Sequence, residues 1–231
     1  PGAARLREML ARNHAVAERV LETDFPLPEF EELQQWQRAR IARSFRDLEQ
    51  SEAYRPAVHF FLTELYGGLD FRERDQDMNR VMPVMIRFLP DRTLETMSEA
   101  FELQAISLEF DIEVATEMAR RGISKLDMDL YCEVYRAADD HVGRERQILL
   151  IRKLGHDLDT LVRKPWINYL VRLLRGPAHA AGFGSLQEFL EQGLVSFRAL
   201  EDPAFFIETI YDREWSAMER LFAGEKKPFG F

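Results

Sequence analysis

The chain has 231 residues, with 46% apolar and 11% aromatic content, 31 Lys+Arg against 40 Asp+Glu, 12 Gly, 10 Pro and one Cys. That is enough apolar material for a real core, which excludes a disordered polyampholyte, and the low Gly and Pro counts argue against a loop-rich all-β domain. A lone cysteine excludes an internal disulfide framework and points to a reducing, cytoplasmic setting, while a net charge of −9 makes the whole molecule a poor polyanion binder.

No window approaches the roughly 20 apolar residues of a membrane span. Pro1 to Leu10 reads as the start of an amphipathic helix rather than a signal peptide. The first helix runs from about Ala3 to Glu22 on Leu6, Met9, Leu10, Val16, Val20 and Leu21, and Phe25-Pro26-Leu27-Pro28 breaks it. The second, from about Glu29 to Gln50, places Phe30, Leu33, Gln37, Ile41, Phe45 and Leu48 on one stripe. A third, about Ala53 to Tyr66, stops at Gly67-Gly68. Asp70 and Glu73 form a capping box for the next, which a Pro83 kink near Asn79 to Met82 should interrupt.

The longest helix spans about Arg92 to Arg121. Its seam of Leu94, Met97, Phe101, Ala105, Leu108, Ile112, Ala115 and Ala119 covers only about 80° at 100° per residue. Gly122 stops it and Ser124 caps a helix from about Lys125 to Ala138. Another runs from about Arg144 to Lys164, then a short one to Arg175 before Gly176-Pro177. Ser185 to Glu188 is a second capping box, opening a helix to Leu200, and Asp202-Pro203 starts the last, which ends before Gly224. The expectation is an all-α fold: about ten helices in one compact bundle over residues 1–223, with 224–231 a flexible tail whose alternative role is a docking peptide with two aromatic anchors. Gly176 to Gly184 is the best place for a hinge.

Three groupings have chemical content. His59 and Tyr66 share a helix face, and with Arg74 and Asp75 they would form a polar pocket at a helix start; the same residues also suit an ordinary charge-paired helix corner. On the long helix Glu95, Glu99, Glu102, Glu109, Glu113 and Glu117 form an acidic stripe between two apolar strips. It calls for arginines, a cation or water opposite, and the Glu-x-x-His pairs of a carboxylate-bridged metal bundle are missing, so no metal site is expected. Between Arg144 and Arg175 stand eight Lys/Arg and three acids, a local +5 that leaves −14 for the rest. Arg152, Lys153, Arg163 and Lys164 would be the contacts of a polyanion, unless the segment pairs internally with the acidic helix.

No P-loop, Rossmann fingerprint, Gly-x-Ser-x-Gly elbow, His-Glu-x-x-His or Cys/His ligand cluster is present, so no catalytic residue is expected. His59 and His156 are the candidates should a haem bind, although no cofactor is expected, and Cys132 reads as a small core residue.

The run Phe60-Phe61-Leu62 to Tyr66-Gly67, then Asp70-Phe71, Arg74-Asp75 and Met82-Pro83-Val84-Met85, resembles a signature of uncharacterised bacterial helical proteins. Arg144-Glu145-Arg146-Gln147, Val162-Arg163-Lys164-Pro165 and Phe189-Leu190-Glu191 to Phe197 are similar to the same group. The resemblance runs from about Glu29 onward and implies a single helical domain, with no activity or catalytic residues to carry over. The leading functional expectation is a non-enzymatic cytoplasmic adaptor or regulator working through protein–protein contacts, possible as a homo-oligomer. A small-molecule, haem or metal binder using the His59 pocket is the first alternative, and nucleic-acid or other anion binding through the basic segment the second.

Overall fold

The computed structural model describes residues 1–62, 82–83, 86–87, 89–138, 140–180 and 184–231. Among them lie ten α-helices and no strand: α1 Gly2–Arg19, α2 Leu27–Ser44, α3 Arg46–Gln50, α4 Arg55–Phe60, α5 Asp91–Arg121, α6 Met128–Ala137, α7 His141–Val162, α8 Pro165–Ala180, α9 Gly184–Arg198 and α10 Pro203–Phe222. The expected all-α class is the one observed.

The long helix α5 organises the packing because it is buried on two nearly opposite faces. Along its seam, Leu94 meets Leu6 and Leu10 of α1, and Ile112 and Ala115 meet Val16, Val20 and Phe30. On the far side, Ile106 and Phe110 pack on Leu150 of α7. Val114 and Met118 there join Leu33, Tyr131, Cys132, Val134, Tyr135 and Leu221. Each fully buried Leu or Ile contributes about 1.5–3 kcal/mol. A separate cluster joins the end of α2 to α3, α4, α7, α9 and α10 through Ile41, Leu48, Ala57, Val58, Val162, Phe197, Phe206 and Ile207. Cys132 is buried, as a core residue should be.

Several helix limits depart from expectation, among them the end of α1, at Arg19 rather than about Glu22. The second predicted helix divides at Phe45, whose backbone (φ −118°, ψ 21°) leaves the helical region. Arg213 accounts for the break: Nη1 donates to the Ser44 carbonyl at 2.8 Å, and the same guanidinium grips Asp47 through two bonds of 2.7 Å. Asp127, not Ser124, caps α6, accepting from the Leu130 amide at 2.8 Å. Asp140 starts α7 three residues early by accepting from the Gly143 amide at 2.8 Å. Helix α8 continues through Gly176 and Pro177 to Ala180, and α9 begins at Gly184, so both ends of the expected hinge are helical. The stops at Gly122 and Gly224 fall where expected, and both glycines are left-handed, with φ of 70° and 77°. The Gly67-Gly68 stop, the Asp70 capping box and the kink near Asn79 fall outside the described residues.

Residues 224–231, read from sequence as a tail, lie on the body of the molecule. Pro228 is fully buried, and Phe229 sits 6.3 Å from the Trp36 ring and 6.1 Å from that of Tyr131. Arg43 covers the Phe231 ring at 4.0 Å. Both aromatic residues of this segment thus rest on the same chain, Phe229 against α2 and α6 and Phe231 against α2.

Candidate functional site

His59 is exposed on α4. Tyr66, Arg74 and Asp75, its expected partners in a pocket, lie outside the described residues. The second haem candidate, His156, holds its Nε2 2.7 Å from Glu208 Oε1.

The acidic stripe faces arginines and a lysine. Arg5 of α1 and Arg146 of α7 both donate to Glu102, at 2.7 and 3.0 Å. Arg12 clasps Glu109 through two bonds of 2.9 and 2.6 Å, and Lys153 reaches Glu99 at 2.5 Å. At the C-terminal end, Arg120 and Arg121 hold Glu117 down at about 2. Glu99 and Glu102 are thus paired from both α1 and α7, and Glu109 from α1.

The same contacts occupy the basic segment. A shallow groove of about 430 Å³ along α7 is lined by Arg146, Arg152, Lys153, His156 and Asp157. Arg152 pairs with Glu208 at 2.8 Å, and Lys153 bonds Asp157 at 2.8 Å besides Glu99. Arg163 pairs with Asp159 at 2.9 Å. Of the four expected polyanion contacts, only Lys164 has no carboxylate within 4 Å among the described residues.

A polar cavity that motif reasoning did not pick out lies inside the bundle, about 70 Å³ in volume. Helix α2 brings Gln37 and Arg40 to it, α5 Ser107 and Asp111, α6 Tyr131 and Tyr135, α7 Arg144 and Gln147, and α10 Glu214; Phe229 completes the wall. Arg144 is its unusual member. Only 7% exposed, its guanidinium is held between two rings, 3.9 Å from the Phe110 centroid and 4.4 Å from that of Tyr135. Such cation–π sandwiching orients the fork but supplies no acceptor. Nη1 makes a long bond of 3.4 Å to Gln147 Oε1, whose own amide donates to Ser107 at 2.8 Å. Nη2 is buried with no hydrogen-bond partner. Arg40, by contrast, pairs with Glu214 at 2.5 Å.

Desolvation pushes the Asp111 carboxyl up to about 6, against the smaller opposing effects of Arg144 and of the Gln37 amide, which donates to it at 3.2 Å. Burial raises the Tyr131 and Tyr135 hydroxyls as well, so both stay protonated and can donate.

The sequence did carry a signal for this cavity. Arg144 stands in helical register with Ile148, Ile151, Gly155 and Val162, and Gln37 with Phe30, Leu33 and Ile41. Polar groups at core positions of two helices mark a buried polar centre.

Two further features complete the surface. His141 turns Nδ1 toward Glu145 at 3.2 Å and Nε2 toward Glu219 at 3.5 Å. The Glu219 contact ties α7 to α10, and one ligand atom from each of His141, Glu145 and Glu219 lies within 4.8 Å of the others. On α8, Trp166 and Tyr169 are 38% and 69% exposed, and the exposed Arg172 continues their i, i+3, i+6 ridge.

Fold and site together define an all-α protein with a buried arginine-lined cavity, and no helix among the described residues is long and apolar enough to cross a membrane. Residues 19–228 match the model of a family described as a domain of unknown function, DUF8198, and the chain belongs to that family. No curated protein and no solved structure matches it.

Proposed function

We propose that the protein acts in the cytoplasm through contacts with another protein rather than through catalysis, with the Trp166–Tyr169–Arg172 ridge of α8 as the contact. The observation that carries this is the exposure of two large aromatic side chains one turn apart beside a cation that has no carboxylate within 4 Å among the described residues. Trp, Tyr and Arg are the residue types that dominate binding energy at protein interfaces. Leaving Trp and Tyr in water forgoes the burial that their area offers, so a partner that covers them gains it. Arg172 asks for an acidic group on that partner. The lone cysteine, buried in the core, is in keeping with a reducing compartment.

The internal pairing of Arg152, Lys153 and Arg163 leaves the nucleic-acid alternative with little free charge on this segment. A photo-crosslinking residue at position 169, introduced into the full chain in cells, should give a discrete adduct. The same residue at position 142, where Val142 is 75% exposed on another helix, should not. Trp166→Ala should remove the adduct while the variant still unfolds cooperatively, well above the labelling temperature. Equal labelling from both positions, or an adduct unaffected by Trp166→Ala, would defeat the reading; an adduct with a second copy of the chain would identify the partner as itself.

A further inference from the structure

Arg144 presents a buried cation without an acceptor for one of its N–H forks. Burial of an ionised group is tolerated when charge and hydrogen bonds compensate it. Arg40 has Glu214, but Arg144 has no carboxylate within 4 Å among the described residues and Nη2 bonds to nothing. The space beside it is not a packing defect: about 70 Å³ is several times the roughly 10–15 Å³ that one water requires. Its lining is donor-rich, with the hydroxyls of Ser107, Tyr131 and Tyr135 and the amides of Gln37 and Gln147 beside the two guanidinium groups.

We propose that this cavity is a binding site for one small monovalent oxyanion, of the size of formate, nitrate or bicarbonate, seated on the free Nη2 of Arg144. Charge balance selects a monoanion. The ionisable groups of the wall are Arg40 on α2, Asp111 on α5, Tyr131 and Tyr135 on α6, Arg144 on α7 and Glu214 on α10. With Asp111 ionised the set is neutral, and with Asp111 protonated it carries one positive charge, which a monoanion cancels and a dianion overshoots. The anion therefore enters together with one proton from solvent, which comes to rest on Asp111, and the neutral carboxyl adds a donor. Size selects a small free ion: a volume of about 70 Å³ leaves little room for a longer chain, and Phe229 and the Arg40 guanidinium, 4.7 Å from its ring, form part of the wall.

The test is a titration of the full-length protein with sodium nitrate and sodium formate, at ionic strength held constant with potassium gluconate, which is too bulky to enter. The readout is the arginine side-chain 15N NMR signal that Arg144→Lys removes. A saturable shift of that signal is expected with both ions, tighter at pH 5.5 than at pH 7.5 and absent with sulfate. Calorimetry should show affinity at least tenfold weaker for Arg144→Gln; if that variant does not fold, the titration of the unaltered protein stands by itself. No saturable shift with either ion, sulfate binding as well as nitrate, weaker binding on acidification, or undiminished affinity in folded Arg144→Gln would each overturn the site.

Discussion

Asp111 shows how one residue's surroundings set a measurable property of the whole chain. Its carboxyl sits in the protein with one amide donor and a distant guanidinium, and desolvation lifts it from the ordinary 3.8 to about 6. The folded state therefore binds more protons than the unfolded state between those two values. Stability contributed by this group is full below the unfolded value and declines as pH rises through about 6. Asp111→Asn, which keeps the shape and removes the titration, should match the parent near pH 4 and exceed it at pH 7.5 in urea unfolding. A gain that grows on acidification instead would show that Arg144 compensates the charge after all. At this scale the sequence was partly legible. Gln37 and Arg144 stand at apolar register, yet nothing in one-dimensional periodicity shows that α2 and α7 turn those positions toward the same point. The acidic stripe was legible as a stripe, but its partners, Arg5, Arg12 and Arg146, come from helices far away along the chain.

Helices meet where side chains let them, and α7 approaches α10 at Gly155. A β-carbon there would lie 2.9 Å from Cγ1 and 3.0 Å from Cγ2 of Ile207, itself almost fully buried. Gly155→Ala gains about 1 kcal/mol of helix propensity, but overpacking a tight core costs about 1–3 kcal/mol. Net destabilisation of about 1 kcal/mol is expected. Ile207→Ala, which removes both γ carbons, should cost less in the Gly155→Ala background than alone, because the contact is then relieved. Additive effects in thermal or urea unfolding would contradict this close approach. The helices themselves were legible from apolar period and from Gly, Pro and Asp punctuation, since each signal is local. The misplaced limits have a common cause. The Phe45 break depends on Arg213 bonding a carbonyl 169 residues away, which no local window contains. The starts at Asp127 and Asp140 were hidden because several Ser and Asp residues compete for each cap and the backbone decides between them.

At the scale of the molecule, residues 224–231 connect the cavity to the outside of the bundle. Phe229 packs against Trp36 and Tyr131, which themselves stack at 3.9 Å, and it forms part of the cavity wall. Pro228 is buried beside it, and Gly224 and Gly230, with φ of 77° and 85°, bend the chain back onto α2. Removing a partly buried aromatic ring from such a cluster costs less than the roughly 3–5 kcal/mol of a fully buried Phe, so Phe229→Ala should destabilise by about 1–3 kcal/mol. Two consequences separate a wall from a merely clinging segment. Amide exchange over α6, which carries Tyr131 and Tyr135, should accelerate more than exchange over α1, which the segment does not line. The cavity should also admit a larger carboxylate such as butyrate, which then shifts the Arg144 signal in Phe229→Ala but not in the unaltered protein. If exchange rises equally in both helices, or butyrate is refused by both proteins, the segment adds stability without closing the cavity, and size selection has to come from the helices alone.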